Sequence, residues 1–305
     1  MPDAAAAWMF PGQGSQEVGM GRDLDEAFPT ARALFERADA ILGRPLSRLC
    51  FDGPADELSR TVNAQPALYV TSLACLEAAR ETGAIDADPA FVAGHSLGEY
   101  TALAAAGALD FEAGLRLVQT RGEVTQAAAD ATPGGMAAIL GLDEDAVESL
   151  CAEAGAELCN LNSPGQIVIG GARSALDRAC ALALERGAKR AIPLDVSGAF
   201  HTSLMQPAAE AMRLAVAASR LRPARIPFVA NDTGRPLSEP AAIAQELVFQ
   251  LTHPVRWVRC VEYMAAQGVT TFIEIGPGRV LSALARRIAP QAQVRNLNGV
   301  SSVQK

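Results

Sequence analysis

The sequence has few of the residues that build metal or redox sites. It holds three histidines in 305 residues, and none of its six cysteines stands in a CxxC pair or near a histidine. Zinc sites and dithiol redox motifs need such short spacings. We therefore expect no metal site and no cofactor, and we interpret the cysteines as small buried thiols of a reducing compartment. They are Cys50, Cys75, Cys151, Cys159, Cys180 and Cys260.

The chain also lacks a run of about 18 apolar residues, the length that a membrane span needs. Its formal net charge of −8 at pH 7 argues against a nucleic-acid partner, which usually meets a basic surface. Met1-Pro2-Asp3 carries no basic residue, whereas a signal peptide would begin with one. Half of the residues are hydrophobic and a fifth are charged, which is typical of a globular protein. We expect a cytoplasmic protein with no membrane partner.

Short apolar segments alternate with helical patterns at both ends of the chain. Such alternation is typical of a mostly parallel sheet covered on both faces, where ligands gather beyond the carboxyl ends of the strands. Three of the four predicted strands end in glycine-rich loops, and Ser301–Lys305 is predicted to be a frayed tail. The four strands are predicted at Ala7–Phe10, Ala90–Ala93, Ile226–Ala230 and Thr271–Ile275.

The middle of the chain has a different pattern. Between Gly134 and Ser197 the order is strand, helix, two strands joined by a turn, helix and strand, which is the ferredoxin-like βαββαβ order. We expect an α/β fold with an α/β-hydrolase-like domain of residues 1–130 and 200–305, into which a ferredoxin-like small domain of residues 131–199 is inserted. A cleft between two such domains is a preferred ligand site.

One glycine-rich loop, Gly94-His95-Ser96-Leu97-Gly98, matches the G-x-S-x-G nucleophile elbow. The elbow is a tight turn from strand to helix, so glycines flank the serine because larger side chains would clash there. An apolar strand precedes this loop and a helical pattern follows it, as the motif requires; an ordinary strand–helix turn is the alternative. At an elbow, the Leu97 backbone N–H would form half of an oxyanion hole at the helix N-terminus.

A nucleophilic serine needs a base, and only three histidines can supply it. His95 adjoins Ser96, so its side chain should leave the turn in another direction. His253 lies in a predicted loop. His201 follows the last strand of the small domain and precedes a helical pattern, which places it at the predicted cleft. By elimination His201 is the predicted base, with a structural histidine as the alternative.

Seven motifs occur in one order along nearly the whole chain, from about residue 8 to about residue 298. Together they resemble the malonyl-CoA:acyl-carrier-protein transacylase family of fatty-acid and polyketide synthesis, and seven motifs in order are far more specific than any one of them. The motifs are Phe10-Pro11-Gly12-Gln13-Gly14-Ser15-Gln16, Gly94-His95-Ser96-Leu97-Gly98-Glu99-Tyr100, Gln119-Thr120-Arg121-Gly122, Asn162-Ser163-Pro164-Gly165-Gln166, Phe200-His201, Gln250-Leu251 with Pro254-Val255-Arg256-Trp257, and Glu274-Ile275-Gly276-Pro277-Gly278.

The resemblance implies a catalytic role for five residues. Ser96 would be the acylated nucleophile and His201 its base. The backbone N–H groups of Gln13 and Leu97 would bind the oxyanion. The backbone carbonyl of Gln250 would orient His201, so that a Ser-His dyad works without a third carboxylate.

The resemblance also implies the substrate pocket. Arg121 would grip the free carboxylate of the malonyl group, which an arginine fork meets with two charge-assisted hydrogen bonds. Without the resemblance, a lone helix arginine is more often a solvated surface residue. Phe200 would crowd the malonyl C2 carbon, and His95 and Asn162 would line the pocket.

The predicted function is transfer of malonyl from coenzyme A to the phosphopantetheine thiol of acyl carrier protein, with ping-pong kinetics through a malonyl-serine. Two alternatives remain: an acyl-thioester hydrolase on the same dyad, and a non-catalytic module that binds carrier proteins. The pathway is left open between fatty-acid synthesis, a polyketide synthase served in trans, and malonate decarboxylation. The resemblance implies an acidic carrier protein and a monomeric enzyme. Candidates for the docking patch are Lys189, Arg190, Arg286 and Arg287, with an ordinary solvated face as the alternative.

Overall fold

The computed structural model describes residues 5–304. Its strands are β1 (Ala5–Phe10), β2 (Phe91–Gly94), β3 (Gly134–Leu140), β4 (Glu157–Ser163), β5 (Gln166–Ala172), β6 (Arg190–Pro193), β7 (Phe228–Val229), β8 (Pro236–Leu237), β9 (Val269–Ile275) and β10 (Gln293–Leu297). Its α-helices are α1 (Arg22–Ala27), α2 (Pro29–Leu42), α3 (Leu46–Asp52), α4 (Ala55–Ser59), α5 (Thr61–Glu81), α6 (Gly98–Ala105), α7 (Phe111–Ala131), α8 (Glu144–Ala154), α9 (Arg173–Glu185), α10 (Gln206–Ala218), α11 (Pro240–Phe249), α12 (Trp257–Ala266), α13 (Val280–Ile288) and α14 (Val300–Val303).

The larger sheet has the strand order β10-β9-β1-β2-β7-β8, with parallel pairs throughout except β7 with β8. Successive side chains of a strand point to opposite faces. Trp8 of β1 accordingly packs into a large core with α5, α6 and α7, whereas Met9 packs on the other face against Trp257 and Leu281. All four predicted strands are present, and the predicted mostly parallel sheet covered on both faces is confirmed. Strands β8 and β10 escaped prediction.

The smaller sheet has the order β4-β5-β3-β6 and is antiparallel throughout. With α8 and α9 packed on it around Ile139, Leu150 and Leu176, it has the ferredoxin-like βαββαβ arrangement. The predicted α/β fold with an inserted βαββαβ unit is therefore confirmed. The domain limits at residues 131 and 199 stay a prediction.

The two sheets are joined through the segment before α12. Val255 accepts a hydrogen bond from the Leu161 N–H at 2.8 Å and donates one to the Cys159 carbonyl at 2.8 Å. Strand β4 of the small sheet is thereby fixed to a segment whose neighbour, Trp257, belongs to the core of the large sheet. These hydrogen bonds fix the position of the small sheet relative to the large sheet, on either side of the predicted cleft.

The prediction of a frayed tail is wrong for residues 301–303. They belong to α14, whose Val303 side chain is fully buried and whose Val303 carbonyl accepts a hydrogen bond from the Thr82 hydroxyl. Lys305, and the residues 1–4 on which the signal-peptide prediction depends, lie outside the described residues. Within residues 5–304, the helices are too short or too polar to cross a membrane.

Candidate active site

The elbow at Ser96 is built by two glycines that leave no room for a side chain. A Cβ on Gly94 would overlap the backbone of Gly98, and a Cβ on Gly98 would overlap the Phe10 carbonyl of β1. Strand β2 can therefore turn into α6 within three residues, which exposes Ser96 at the carboxyl end of the sheet. The predicted context of the motif, strand before and helix after, is present.

Ser96 and His201 share an unusual backbone conformation. Among the described residues they are the non-glycine residues with positive φ, at 52° and 62°. Such left-handed conformations cost on the order of 1–3 kcal/mol and persist only where surrounding contacts enforce them. At Ser96 one such contact is the bond from its N–H to Asn231 Oδ1 at 2.7 Å.

His201 is hydrogen-bonded on both ring nitrogens. Nδ1 lies 2.6 Å from the Gln250 backbone oxygen, and Nε2 lies 2.8 Å from Ser96 Oγ. A carbonyl can only accept, so Nδ1 carries the hydrogen and Nε2 of the neutral ring is left as an acceptor. Burial, and then the Arg121 cation, lower the pKa of His201 to about 3. The ring is therefore neutral at pH 7, and its Nε2 can accept a hydrogen bond from Ser96 Oγ.

Arg121 lies in the interior, not on the surface, with a side chain 4% exposed on α7. Nη2 donates to Ser96 Oγ at 2.9 Å and to Gln250 Oε1 at 3.0 Å, and Nη1 donates to Gln65 Oε1 at 2.9 Å. Its Nε has no hydrogen-bond partner among the described residues. The solvated-surface alternative is thus wrong, and a buried cation with one unpaired N–H donor lies beside Ser96 Oγ.

Two backbone N–H groups near Ser96 also lack acceptors within residues 5–304: those of Gln13 and Leu97. Leu97 is the residue immediately before α6, so its N–H belongs to the unpaired donors at the helix start. The Gln13 side chain donates to Thr61 Oγ1 at 3.1 Å, which anchors the loop after β1. Both N–H groups are therefore available to a developing oxyanion, but their role stays a prediction.

The site opens into a cavity of about 390 Å³ between the two sheets. The predicted site residues among its walls are Gln13, His95, Ser96, Arg121, Phe200 and His201, and its apolar walls include Met136, Leu194, Val196, Met205 and Leu251. Further polar residues also line it, among them Gln16, Thr125, Asn160 and Asp195, and a cavity of this size can hold a small acyl group.

Asn162, His95 and His253 have contacts other than Ser96 Oγ. Asn162 is not part of the cavity wall; its Oδ1 lies 2.9 Å from His95 Nε2 and fixes that ring. His95 also packs on Trp257, with ring centroids 5.7 Å apart, so its side chain leaves the turn away from Ser96 Oγ as predicted. His253 stacks on Phe249 outside the cavity. Of the three histidines, His201 alone is placed to receive the Ser96 proton.

Two polar residues in the site escaped prediction. Asn231 follows β7 and donates from Nδ2 to the Gly94 carbonyl at 2.7 Å while it accepts from the Ser96 N–H. Gln65, on α5, accepts a hydrogen bond from Arg121 Nη1 through its side-chain oxygen. Asn231 follows a predicted strand of the parallel sheet, and this position was a usable signal because ligand sites gather at such ends. Gln65 lies within a long helix and carries no comparable signal.

No three His, Cys, Asp or Glu side chains between residues 5 and 304 are grouped closely enough to hold a metal ion. The four basic residues of the predicted docking patch are exposed. Arg287 donates to Gln166 Oε1 at 2.6 Å and to the Pro164 carbonyl at 3.2 Å, so α13 touches the turn between β4 and β5.

The fold and the site are those of an acyltransferase. The family model described as the acyl transferase domain matches residues 7–303, and the chain belongs to this family. A malonyl CoA-acyl carrier protein transacylase from Bacillus subtilis (strain 168) is 48% identical over 287 residues, which cover 92% of this chain and 90% of the relative.

Solved structures agree with this assignment. An acyl carrier protein S-malonyltransferase from Vibrio cholerae superposes with a TM-score of 0.95 at 42% identity, covering 98% of this chain and 99% of that one. A malonyl-transacylase in complex with a type II polyketide synthase acyl-carrier protein superposes at 0.94 with 40% identity, covering 98% of both chains. The enzyme class predicted from the sequence, malonyl-CoA:acyl-carrier-protein transacylase, is confirmed by these relatives.

Proposed function

We propose that this acyltransferase moves malonyl from malonyl-CoA to a carrier-protein thiol by way of a malonyl ester on Ser96. The observation that carries the proposal is the arrangement around Ser96 Oγ, which lies 2.8 Å from a neutral imidazole and 2.9 Å from a buried guanidinium. The imidazole supplies the base, and the guanidinium supplies a partner for the substrate carboxylate. One methylene separates the two ends of malonyl, so a carboxylate on Arg121 leaves the thioester carbon beside Ser96 Oγ.

In the first half-reaction, His201 Nε2 takes the Ser96 proton while Oγ attacks the thioester carbonyl carbon. The N–H groups of Gln13 and Leu97 stabilise the oxyanion. The carbon–sulfur bond then breaks, and the imidazolium returns the proton to the sulfur of coenzyme A. In the second half-reaction, the phosphopantetheine thiol gives its proton to His201 and its sulfur attacks the ester carbon. The bond between that carbon and Ser96 Oγ then breaks, and the imidazolium returns the proton to Oγ. Each step uses groups of this chain, so the proposal calls for no metal or cofactor.

Rapid-quench labelling tests this proposal. Wild-type enzyme mixed with malonyl-CoA should release about one equivalent of coenzyme A per site in a burst, and peptide mapping should find malonyl on Ser96. Ser96→Ala should show no burst, since no other hydroxyl stands at the elbow. Malonyl mapped to a different residue would overturn the assignment. A burst followed by release of free malonate that carrier protein does not accelerate would favour the hydrolase alternative.

We propose that an acidic carrier protein approaches the basic residues at the junction of α13 with the small sheet. Arg287 touches the turn at Pro164 and Gln166, the N–H of Gly141 bonds the Gly165 carbonyl of that turn at 2.9 Å, and the Lys189 side chain lies against Gly141. One surface at the tip of the small sheet thus presents positive charge. We propose that the enzyme is a monomer, since every group of the proposed mechanism comes from one chain. We also propose a cytoplasmic location, as expected from the sequence.

Charge reversal tests the docking surface apart from the chemistry. Lys189→Glu with Arg287→Glu should raise the KM for carrier protein and make it less sensitive to salt, while the coenzyme A burst stays unchanged. Arg220→Glu is the matched control, because this exposed arginine follows the far end of α10, a helix about 20 Å long that begins at Gln206, after His201. An equal KM for the double variant and the control would remove the patch from the proposal.

A further inference from the structure

One nitrogen of the Arg121 guanidinium, Nη2, already uses both of its hydrogens. It donates to Ser96 Oγ at 2.9 Å and to Gln250 Oε1 at 3.0 Å. Nη1 donates to Gln65 Oε1 at 2.9 Å. Nε has no partner among residues 5–304 and is enclosed by the protein. A substrate carboxylate therefore meets a cation whose most central nitrogen is occupied.

The shape of a guanidinium makes Nη2 necessary for a two-pronged grip. A carboxylate binds arginine most strongly through two parallel N–H bonds from neighbouring nitrogens. The planar group offers two such pairs, Nη1 with Nη2 and Nε with Nη2, because the chain carbon Cδ fills the edge between Nε and Nη1. Nη2 belongs to both pairs. A carboxylate held by two parallel bonds must therefore take a hydrogen of Nη2 from Ser96 or from Gln250.

The Gln250 amide is fixed from its other end. Its Nε2 donates to the Ser96 carbonyl at 3.2 Å and to Glu99 Oε2 at 3.0 Å, and its side chain is not part of the cavity wall. Ser96, in contrast, lines the cavity from which a substrate arrives, and its Oγ keeps a second partner, His201 Nε2, at 2.8 Å. The partner that a carboxylate replaces on Nη2 is therefore Ser96 Oγ.

Losing this contact changes the reactivity of both dyad residues in the same direction. A hydrogen bond from a cation occupies a lone pair of Oγ and draws electron density from it, which makes the oxygen a weaker nucleophile. After burial, the Arg121 charge is also the next cause of the lowered pKa of His201. A carboxylate bound to Arg121 frees the lone pair and offsets that charge. Ser96 then becomes a better nucleophile and His201 a better base.

We propose that Arg121 keeps Ser96 Oγ in a less reactive state in the free enzyme, and that the carboxylate of the substrate releases it by taking its place on Nη2. This inference rests on the proposed function, because Arg121 must bind the malonyl carboxylate for the exchange to occur. An acyl-CoA without a carboxylate meets Ser96 Oγ still bound to the cation. Selection for malonyl over acetyl is thus made in the nucleophile as well as in binding.

Free malonate tests the exchange, because it carries the carboxylate but no thioester that Ser96 could attack. Ser96→Ala removes the competing oxygen, so a hydrogen of Nη2 is open before the anion arrives. We expect calorimetry at constant ionic strength to show malonate binding about threefold to tenfold more tightly to Ser96→Ala than to wild type, as for loss of one competing hydrogen bond. Malonate that binds Ser96→Ala no more tightly than wild type would show that Oγ does not compete, and would overturn the proposal.

Two controls accompany this measurement. Ser59 also lines the cavity but is not among the hydrogen-bond partners of Arg121, so Ser59→Ala should leave the malonate affinity within about twofold of wild type. An equal gain in Ser59→Ala would assign the effect to the wider cavity and overturn the exchange. Arg121→Ala should bind malonate at least about tenfold more weakly than wild type. Unchanged binding there would place the carboxylate elsewhere, which is a failure of the proposed function itself.

A crystal structure of the wild type with malonate tests the exchange without any variant. The distance from Arg121 Nη2 to Ser96 Oγ should lengthen from 2.9 Å to beyond hydrogen-bond range, about 3.5 Å, with a carboxylate oxygen in its place. The bond from Ser96 Oγ to His201 Nε2 should remain near 2.8 Å. A carboxylate bound to Arg121 with the contact to Ser96 Oγ intact would overturn the proposal and leave the proposed malonyl transfer standing.

Discussion

The two walls of the cavity differ in how they are built. On the wall from the large sheet, the polar atoms are fixed by partners from other elements: Ser96 is held by Asn231, and Arg121 by Gln65 and Gln250. The wall from the small sheet and the segment after it is mostly apolar, with Met136, Leu194, Val196 and Phe200. Hydrogen bonds fix positions closely, whereas apolar contacts tolerate volume-conserving changes. We therefore expect the first wall to determine the reaction and the second to select the shape of the acyl group.

The largest effect is expected for the predicted base, His201, which is hydrogen-bonded to Ser96 of the first wall. His201→Ala should lower the rate of acyl-enzyme formation by about 10² to 10⁴, the usual contribution of general acid–base catalysis. The measurement is the pre-steady-state burst with malonyl-CoA. His95→Ala and His253→Ala are the matched controls, and a greater loss in either would contradict the assignment of the base. A carboxylate whose amide variant lost as much as His201→Ala would contradict the dyad.

The next effect concerns the cation on the same wall. Arg121→Ala should reduce kcat/KM for malonyl-CoA at least roughly tenfold, because it removes a charge-assisted hydrogen bond and leaves the substrate charge unpaired. Acetyl-CoA has no carboxylate, so its transfer should fall far less. The two substrates are compared with wild type and variant in one assay. Equal losses would show that Arg121 supports the structure and does not recognise malonyl.

The apolar wall should give a smaller and more selective effect. Phe200 lies next to His201 and lines the cavity, so a methyl branch on C2 must displace part of its ring. Wild type should prefer malonyl-CoA over methylmalonyl-CoA by about 10–200-fold, the discrimination that one methyl group supports. Phe200→Ala should lower the ratio of kcat/KM for malonyl-CoA to that for methylmalonyl-CoA. Leu194→Ala, which truncates another apolar side chain of the same wall, is the matched control. An unchanged ratio in Phe200→Ala would remove this residue from substrate selection.

The smallest effect is expected from pH. An ordinary histidine is half protonated near pH 6.5, but burial and Arg121 lower the pKa of His201 to about 3. The neutral base should therefore persist as the pH falls through 6.5 and be lost only near 3. Since kcat/KM reports groups of the free enzyme, its profile for acylation should show no acid limb near pH 6.5. A half-maximal value there would contradict the lowered pKa.

Features of this protein that depend on nearby residues could be predicted from the sequence, whereas contacts between distant segments could not. The elbow, the βαββαβ order and the place of His201 all follow from patterns within a few residues, such as the glycines at 94 and 98. The contacts of Asn231 and Gln65 were missed because they join segments 56 to 137 residues apart, and only the folded chain brings them together. Strand β10 was missed because its sequence, QVRNL, has too few apolar residues.

The left-handed backbone conformation at Ser96 and His201 lowers the folding stability of the protein, while the side chains at these two positions are the ones proposed to carry its activity. Glycine adopts that conformation without the steric penalty that a side chain incurs. Ser96→Gly should therefore melt at a higher temperature than the equally inactive Ser96→Ala, as measured by calorimetry. Selection for heat resistance alone would favour glycine at both positions, and the enzyme would then lose its activity. A thermostable catalyst of this design must gain its added stability elsewhere in the chain.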